Sequence, residues 1–229
     1  MNPEQLFHLL SSYFGRLPWW PVDQKYHNKH GSDSRFEVMV GAILTQNTAW
    51  TNVEKALQQL KHHKLLTIGS LHDVDLSTLT QCIQSSGFFN QKAQRLQLFC
   101  KFLIEMYQGD VSLMFMNPLS RLRQELLSLN GIGPETADSI LLYAGNQPVF
   151  VVDAYTKRLC QRLPIPVKTM EYPDVQQHFE YQLSQSFQES QLVDVYQQLH
   201  AVIVEQAKQF CRTKPRCKQC PIQKECSFQ

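Results

Sequence analysis

An all-α fold is predicted by three features of this sequence. Apolar residues recur at helical spacing in long stretches, the alternating pattern of strands is nearly absent, and glycine or proline separates the stretches. A first helix is predicted at the N-terminus, where Asn2 suits a cap and Pro3 suits the first helical position. The later predicted helices cover residues 36–44, 53–60, 76–83, 92–107, 119–129, 136–143, 154–163, 175–187 and 192–210.

Length and composition restrict the class of protein. The 229 residues are enough for one large or two small domains with a sizeable core. Residues 38–44 form an apolar run that glycine interrupts and that is too short to span a bilayer, so we expect no membrane partner. The polar N-terminus is unlike a signal segment, and we expect a cytoplasmic, nucleoid-associated monomer of bacterial type. Residues 23–34, rich in charge and histidine, are predicted to be a linker.

The most informative segment is Asn-Gly-Ile-Gly-Pro at residues 130–134. The apolar helix before it is expected to end at Asn130, and Pro134 suits the first position of the next helix. The two glycines leave room for a phosphate to approach backbone N–H groups at the start of that helix. Asp153 follows twenty residues after Gly133 and is predicted to cap another helix. A hairpin that contacts backbone phosphates, with an acid close behind it, indicates chemistry on DNA.

From about Phe36 onward the chain resembles the helix-hairpin-helix, Gly/Pro-rich-loop and Asp superfamily of DNA glycosylases, typified by endonuclease III. The resemblance implies two helical lobes, one formed by residues 29–146 and the other by residues 1–28 with 147–229. It implies that Asp153 is the catalytic carboxylate. It also implies that the hairpin grips double-stranded DNA containing a damaged base, with a monovalent or divalent cation as a further candidate ligand. The hairpin contacts fall on Asn130, Gly131, Ile132 and Gly133. An ordinary turn and a simple helix cap are the alternatives.

Four of the seven cysteines form a C-x5-C-x2-C-x5-C pattern near the C-terminus. They are Cys211, Cys217, Cys220 and Cys226. Four thiolates so close together can enclose one metal centre, and the spacing alone fits either a zinc site or a cubane iron–sulfur cluster. The tail resembles the [4Fe–4S] loop of endonuclease III-like proteins, although its first gap is one residue shorter, and the resemblance favours iron–sulfur at residues 211–226. Cys82, Cys100 and Cys160 are predicted to be small buried hydrophobes.

The same tail carries most of the local positive charge, although the net charge of the chain is only +2. Its basic residues between positions 208 and 225 are Lys208, Arg212, Lys214, Arg216, Lys218 and Lys224, against the single acid Glu225. A loop anchored by cysteines and bearing Arg212, Lys214 and Arg216 is predicted to bind phosphates. The alternative is a solvated basic loop.

Glu135 marks a departure from the bifunctional members of the family. Those enzymes carry a lysine at this place after the hairpin, and that lysine attacks the sugar to form a Schiff base. Because glutamate cannot form the imine, the resemblance implies a monofunctional enzyme that uses water, with Asp153 stabilising positive charge on the deoxyribose. Lys157 and Lys208 remain alternative amines. Glu135 is either a residue of the base pocket or an acid favoured in the first turn of a helix.

A second departure concerns the substrate. Adenine-removing relatives carry a glutamate in the helix before their Gln-Gln-Thr segment, where this chain has Gly41 or Ala42. An alkylated purine already carries positive charge, so its site needs aromatic faces for stacking and cation–π attraction more than it needs an acid. The branch of the family that includes 3-methyladenine DNA glycosylase III resembles this chain in its Trp-Trp-Pro, Gln-Asn-Thr and Glu-Thr-Ala-Asp segments. Trp19 or Trp20, and more weakly Trp50, are the pocket candidates, with core packing as the alternative.

Two further segments resemble the DNA-distorting loops of the family. Phe88, in the Gly-Phe-Phe-Asn-Gln-Lys-Ala segment, is the candidate wedge that enters the base stack, unless it is a buried core aromatic. Gln46 or Asn47 is the candidate plug for the space that a flipped nucleotide leaves.

Together these features predict a monofunctional DNA glycosylase with an iron–sulfur cluster that acts on alkylated purines. The nearest alternative is a glycosylase for mismatched thymine, uracil or oxidised pyrimidines, with or without strand cleavage. The alternative of another class is a non-catalytic protein that binds damaged DNA.

Overall fold

The protein is all-helical in the computed structural model, which describes residues 1–228 and contains no strand in that range. The all-α prediction is therefore confirmed. The α-helices are α1 (Pro3–Phe14), α2 (Gln24–His30), α3 (Ser34–Leu44), α4 (Trp50–His62), α5 (Ile68–Asp73), α6 (Leu76–Cys82), α7 (Phe89–Tyr107), α8 (Val111–Phe115), α9 (Leu119–Ser128), α10 (Pro134–Ser139), α11 (Ala154–Arg162), α12 (Tyr172–Ser186) and α13 (Glu189–Gln209). A π-helical turn, Ile140–Ala144, continues α10, and 3₁₀ turns lie at Gln84–Ser86, Cys217–Gln219 and Gln223–Glu225. None of the helices within residues 1–228 is long and apolar enough to cross a membrane.

The linker prediction for residues 23–34 is wrong, because most of this segment forms α2. Asp23 caps the helix, and His27 is buried with its Nε2 atom 2.6 Å from the Glu37 carboxylate on α3. Lys61 of α4 lies 2.6 Å from the other oxygen of Glu37. Glu37 and Lys61 belong to other helices, so the polar local pattern did not reveal these pairings. The short helices α5 and α8 were also absent from the predicted set.

The chain divides into two units. The central unit holds residues 20–145, and the terminal unit holds residues 1–19 with the described residues from 146 onward. Residues 20–28 therefore belong to the central unit, because α2 is held by Glu37, whereas the sequence had placed them in the other lobe. In the terminal unit α1 and α11 pack against α13, and in the central unit α3 packs against α7 and the π-helical turn.

A buried lysine ties together the segments that precede the candidate loops of the central unit. Lys92 in α7 is fully buried and donates from Nζ to the carbonyl oxygens of Leu44 at 2.8 Å and Ser86 at 2.6 Å. Burial, together with the positive charge of Arg95, lowers the pKa of Lys92 to about 8. The end of α3 and the turn before Phe88 are consequently anchored on one side chain.

Candidate active site

Asp153 is the N-cap of α11 in the terminal unit, as predicted. Its Oδ1 atom accepts hydrogen bonds from the backbone N–H of Thr156 at 2.7 Å and from the Thr156 hydroxyl at 2.9 Å. Its Oδ2 atom lies 3.5 Å from Nε2 of His200, which belongs to α13. Asp153 is only 8% exposed, so its burial and its contacts within the protein determine its protonation state.

The pKa of Asp153 is lowered from its ordinary value. Burial alone raises this pKa, because it disfavours the charged form. The contact with His200 and the two hydrogen bonds from Thr156 lower it by more than burial raises it. Asp153 is therefore held as a carboxylate at neutral pH, which is the form that can stabilise a developing positive charge.

The hairpin lies between α9 and α10 in the central unit. Gly131 has φ +84°, in the left-handed region, and Pro134 occupies the first position of α10, as predicted. Ile132 is buried and its N–H donates to the carbonyl of Leu129 at 3.1 Å, which closes the turn from inside. Asn130 and Gly133 are exposed on either side. The side chain of Ile132 therefore points into the protein, whereas Asn130 and Gly133 are exposed and accessible to a ligand.

A hydrogen-bond network joins the hairpin to α7 and to the segment after α3. The Gln46 amide donates from Nε2 to the carbonyl of Gly131 at 2.8 Å and to the hydroxyl of Thr136 at 3.0 Å. Its Oε1 atom accepts from Nη1 of Arg95 at 2.6 Å. The Arg95 side chain covers Gly131 so closely that a Cβ atom at this position would collide with it. We refer to Gln46, Arg95, Gly131 and Thr136 as the hairpin network.

The two other DNA-distorting candidates project from exposed loops of the central unit. Phe88 is 62% exposed and has φ +46°, so a buried core role for it is excluded. A non-glycine residue in the left-handed region carries strain, and such strain is common at binding sites. Asn47 is also exposed, with φ +54°, whereas Gln46 is engaged in the hairpin network. Gln46 and Asn47 therefore both remain candidates for the plug, the first within the hairpin network and the second exposed.

Glu135 lies in the first turn of α10 and is exposed. Its backbone carbonyl accepts a hydrogen bond from the Ser139 hydroxyl at 2.7 Å. This position fits an acid that favours the positive end of a helix, and it also directly follows the hairpin. The structure is consistent with both interpretations of this residue.

Three aromatic rings meet in the central unit. Trp20 is edge-on to Trp50, with ring centroids 5.2 Å apart, and its ring lies 5.4 Å from that of Tyr143 in the π-helical turn. A Cβ atom at Gly41 would come within 3.2 Å of the Trp20 indole, so any side chain at position 41 would press on that ring. We refer to Trp20, Trp50 and Tyr143 as the aromatic cluster.

Trp19, the neighbour of Trp20 in sequence, belongs to the terminal unit. The ammonium group of Lys208, in the last turn of α13, lies 5.6 Å from the centre of its ring. This is a cation–π contact. The two consecutive tryptophans that the sequence left equivalent thus have different surroundings.

The four C-terminal cysteines line one cavity of about 280 Å³ in the terminal unit. Side-chain N–H groups point at two of the sulfur atoms: Arg162 donates to Cys211 at 3.2 Å, and Gln206 donates to Cys220 at 3.0 Å. Among residues 1–228 no three Cys, His, Asp or Glu side chains converge on a point that suits one metal ion. Cys82, Cys100 and Cys160 are buried elsewhere, as predicted.

The predicted basic surface is exposed. Arg212, Lys214 and Arg216 all lie on the outside of the cysteine loop. The N–H of Arg216 donates to the carbonyl of Phe210 at 2.9 Å, which folds the loop back towards the end of α13. The positive side chains are therefore carried on a locally constrained backbone.

Sequence reasoning missed four residues that contact the candidate site residues. Arg95, Thr136 and Tyr143 enter through tertiary packing, and His200 is 47 positions away from Asp153 in the chain. Helical spacing had already placed Tyr143 and His200 in helices, but nothing in the local pattern distinguished them from core residues. At position 131 a Cβ would also meet the Arg95 side chain, a second constraint beside the positive φ.

Comparison with known proteins identifies the family. The profile described as HhH-GPD superfamily base excision DNA repair protein matches residues 40–185. A relative from Methanocaldococcus jannaschii, named "Putative DNA repair glycosylase", is 42% identical over 224 residues, which cover 97% of this chain and 94% of that protein. Endonuclease III of Thermotoga maritima is 27% identical over 208 residues, covering 90% of this chain and 89% of that protein.

Solved structures agree with this assignment. The H. pylori 3-methyladenine DNA glycosylase bound to 1,N6-ethenoadenine superposes with a TM-score of 0.74 at 26% identity, covering 91% of this chain and 98% of that one. A non-covalent complex of endonuclease III with DNA gives a TM-score of 0.75 at 22% identity, covering 99% and 96%, and shows the same fold. The chain therefore belongs to the HhH-GPD superfamily of base excision DNA repair proteins and is a DNA glycosylase.

Proposed function

We propose that the protein is a monofunctional glycosylase that hydrolyses the N-glycosidic bond of alkylated purines in double-stranded DNA. The catalytic group is the Asp153 carboxylate. Glu135 occupies the place of the lysine that bifunctional relatives use, and a glutamate cannot form an imine with the sugar. Base release therefore uses water and leaves an intact abasic strand.

The chemical step follows from these groups. The bond between the sugar C1′ and the purine nitrogen breaks, and its electron pair passes to the base, which neutralises the positive charge of an N3- or N7-alkylated purine. Asp153 stabilises the positive charge that develops on the sugar ring, as a carboxylate held in its ionised form. The oxygen of a water molecule adds to C1′ and one of its protons passes to the solvent, so the products are the free base, an abasic deoxyribose and a proton.

The observation that carries the substrate assignment is the close packing of Gly41 against Trp20. A Cβ atom at position 41 would lie 3.2 Å from the indole, so an acidic side chain there would have to displace the Trp20 ring. The aromatic cluster offers electron-rich faces, which attract a cationic base by stacking and cation–π contact. The bound 1,N6-ethenoadenine in the H. pylori relative, itself a 3-methyladenine glycosylase, supports a modified purine as the substrate.

The DNA contacts are assigned to separate groups of residues. The hairpin at Asn130, Gly131, Ile132 and Gly133 is assigned to phosphate binding, through its exposed positions Asn130 and Gly133, because the N–H of Ile132 already donates to Leu129. A cation at the hairpin is part of this proposal. Arg212, Lys214 and Arg216 add charge to a second phosphate-binding surface. Phe88 enters the base stack as a wedge. Gln46 or Asn47 fills the space left by the extruded nucleotide, and Trp19 is a further candidate near the base.

A panel of lesion-bearing duplex oligonucleotides tests the substrate class. The duplexes contain 3-methyladenine, 7-methylguanine, hypoxanthine, uracil, mismatched thymine or an oxidised pyrimidine, and hot alkali then cleaves any abasic strand. We expect release of the two methylated purines and none of the neutral pyrimidines. Efficient release of uracil, thymine or an oxidised pyrimidine would assign the protein to the alternative glycosylase class.

Borohydride trapping tests the monofunctional assignment. Wild-type protein is expected to release base, to leave the strand intact until alkali is added, and to form little covalent enzyme–DNA adduct, because no imine forms at Glu135. The measurement is the fraction of protein shifted by cross-linked DNA on a denaturing gel.

Lys157 and Lys208 supply the controls for this experiment. Each is changed to glutamine, because either amine is the remaining route to an imine. Strong trapping by the wild-type protein that disappears with one of these variants would refute the monofunctional assignment. Glu135→Lys is the positive comparison, since it restores the amine at the position used by bifunctional relatives.

We also propose that Cys211, Cys217, Cys220 and Cys226 hold a [4Fe–4S] cluster. Their convergence on one cavity supports a shared group, and the N–H donors of Arg162 and Gln206 suit the negative charge of thiolate ligands. When bound, the cluster supplies a rigid cross-link for the basic loop.

Purified protein is expected to be brown and to contain about four iron and four sulfide ions per chain. Cys220→Ser is expected to lose most of this iron, whereas Cys82→Ser, which alters a buried cysteine outside the cavity, keeps it. Elemental analysis and visible absorbance after anaerobic purification measure both variants. Stoichiometric zinc without sulfide would establish the zinc alternative instead.

A further inference from the structure

A buried histidine contacts the catalytic carboxylate, and the mechanism above gives it no task. His200 is 5% exposed in the middle of α13, and its Nε2 atom lies 3.5 Å from Oδ2 of Asp153. Leu199, Ala201 and Val202, its neighbours in α13, are buried apolar residues. Placing a polar ring at such a position costs free energy unless the ring gains a polar partner. An apolar side chain would serve core packing better, so the contact with Asp153 is what distinguishes this residue.

The two carboxylate oxygens of Asp153 have partners from different helices. Both hydrogen bonds to Oδ1 come from Thr156, which lies in the first turn of α11, the helix that Asp153 itself caps. The torsion that rotates a carboxylate about its Cβ–Cγ bond is broad and is not held in a staggered well. The two hydrogen bonds from Thr156 to Oδ1 alone would therefore leave the carboxylate of Asp153 free to rotate about this bond. The Nε2 atom of His200 approaches the other oxygen to 3.5 Å from α13, which lies outside α11.

We propose that His200 is a positioning residue that holds the plane of the Asp153 carboxylate against the reacting sugar, an inference that rests on the proposed catalytic role of Asp153. His200 does not touch the substrate. It acts through Oδ2, so it affects the chemical step and not the affinity for DNA. Small errors in the placement of a catalytic group are costly, because an error of about 1 Å can reduce a rate by about 100-fold.

The test compares variants of His200 on an oligonucleotide with a lesion that the wild-type protein releases. His200→Phe keeps a ring of similar size and removes the polar contact, and we expect its kcat to fall by about 10- to 100-fold with KM nearly unchanged. His200→Gln places an amide nitrogen close to the position of Nε2, and we expect it to recover most of the lost kcat. His178→Phe is the matched control, since His178 lies in α12 of the same unit and burial alone lowers the pKa of its ring.

Either of two outcomes would overturn the role of His200. These are a kcat of His200→Phe within about twofold of wild type, or a His200→Gln variant as slow as His200→Phe. Should His200→Phe fail to fold, judged by circular dichroism, His200→Asn replaces it. The amide of asparagine is one bond closer to the backbone than that of glutamine, so we expect His200→Asn to have a low kcat. Equal kcat values for His200→Asn and His200→Gln would refute the proposal.

The same assay separates the two levels of inference. Asp153→Asn is measured beside the His200 variants. Full activity of His200→Phe beside an inactive Asp153→Asn overturns only the positioning role. Near-normal turnover by Asp153→Asn overturns the catalytic role of Asp153 and the positioning role with it.

Discussion

Asp153→Asn is expected to reduce base release by on the order of 10³-fold, or about 4 kcal/mol of transition-state stabilisation, while duplex DNA still binds. Asparagine has nearly the same shape, and its oxygen can still accept the hydrogen bond from the N–H of Thr156. What it loses is the negative charge that faces the developing cation. Single-turnover base release and a gel-shift titration of the same variant measure the two effects separately.

The pH dependence follows from the lowered pKa of Asp153. Because this pKa lies below its ordinary value of about 3.9, the carboxylate is fully ionised through neutral pH, and base release is not expected to show a titration of this group between about pH 5 and 8. A carboxyl group with a lowered pKa contributes stability above its unfolded pKa and loses it as pH falls through its folded pKa. The stability gap between wild type and Asp153→Asn should therefore narrow on acidification below about pH 4.

Asp75→Asn is a closely matched control for this variant. Asp75 caps α6 and also accepts two hydrogen bonds from a threonine three residues later, from the N–H of Thr78 at 2.9 Å and from its hydroxyl at 2.6 Å. The same change at this cap is expected to leave base release unchanged. If Asp153→Asn retains near-normal turnover, the catalytic carboxylate has been assigned to the wrong residue.

The sequence predicted the parts of the site that depend on local chemistry. A proline after the hairpin and an aspartate before a helical stretch determine the conformation of their own neighbours, so the start of α10 and the cap at Asp153 were both found. The cysteine spacing likewise indicated that the four thiols share one cavity. These features depend on few residues that lie close together in the chain.

Features that depend on packing between distant segments were not predictable. The helix α2 has the polar pattern of a linker, but its His27 pairs with Glu37 of α3, and Glu37 in turn pairs with Lys61 of α4. The placement of Tyr143 against Trp20 depends on a π-helical turn, which hydrophobic spacing does not reveal. The contact of His200 with Asp153 requires α11 and α13 to pack together. In each case the missing information is a contact between elements, not the propensity of one element.

The hairpin network leads to the other large expected effect, which is the loss of DNA affinity in Gly131→Ala. Alanine is strained at φ +84°, by about 1–2 kcal/mol, and its Cβ would collide with the side chain of Arg95. Arg95 must then move away, which breaks its bond to Gln46 and loosens the hold of Gln46 on the Gly131 carbonyl. Because the hairpin backbone is the proposed phosphate contact, we expect the Kd for duplex DNA to rise by about 10- to 100-fold, with a smaller effect on the rate at saturation.

Gly109→Ala separates backbone strain from the collision at Gly131. Gly109 has a similar φ of +72°, and a Cβ atom there would meet only Ile104, at 4.0 Å. We expect this variant to lose stability in thermal unfolding and to bind DNA normally. Arg95→Ala alone removes the hydrogen bond to Gln46 without straining position 131, so part of the affinity loss of Gly131→Ala should also appear in this variant. Equal DNA affinities for Gly131→Ala and Gly109→Ala would show that the hairpin backbone is not where this protein holds its substrate.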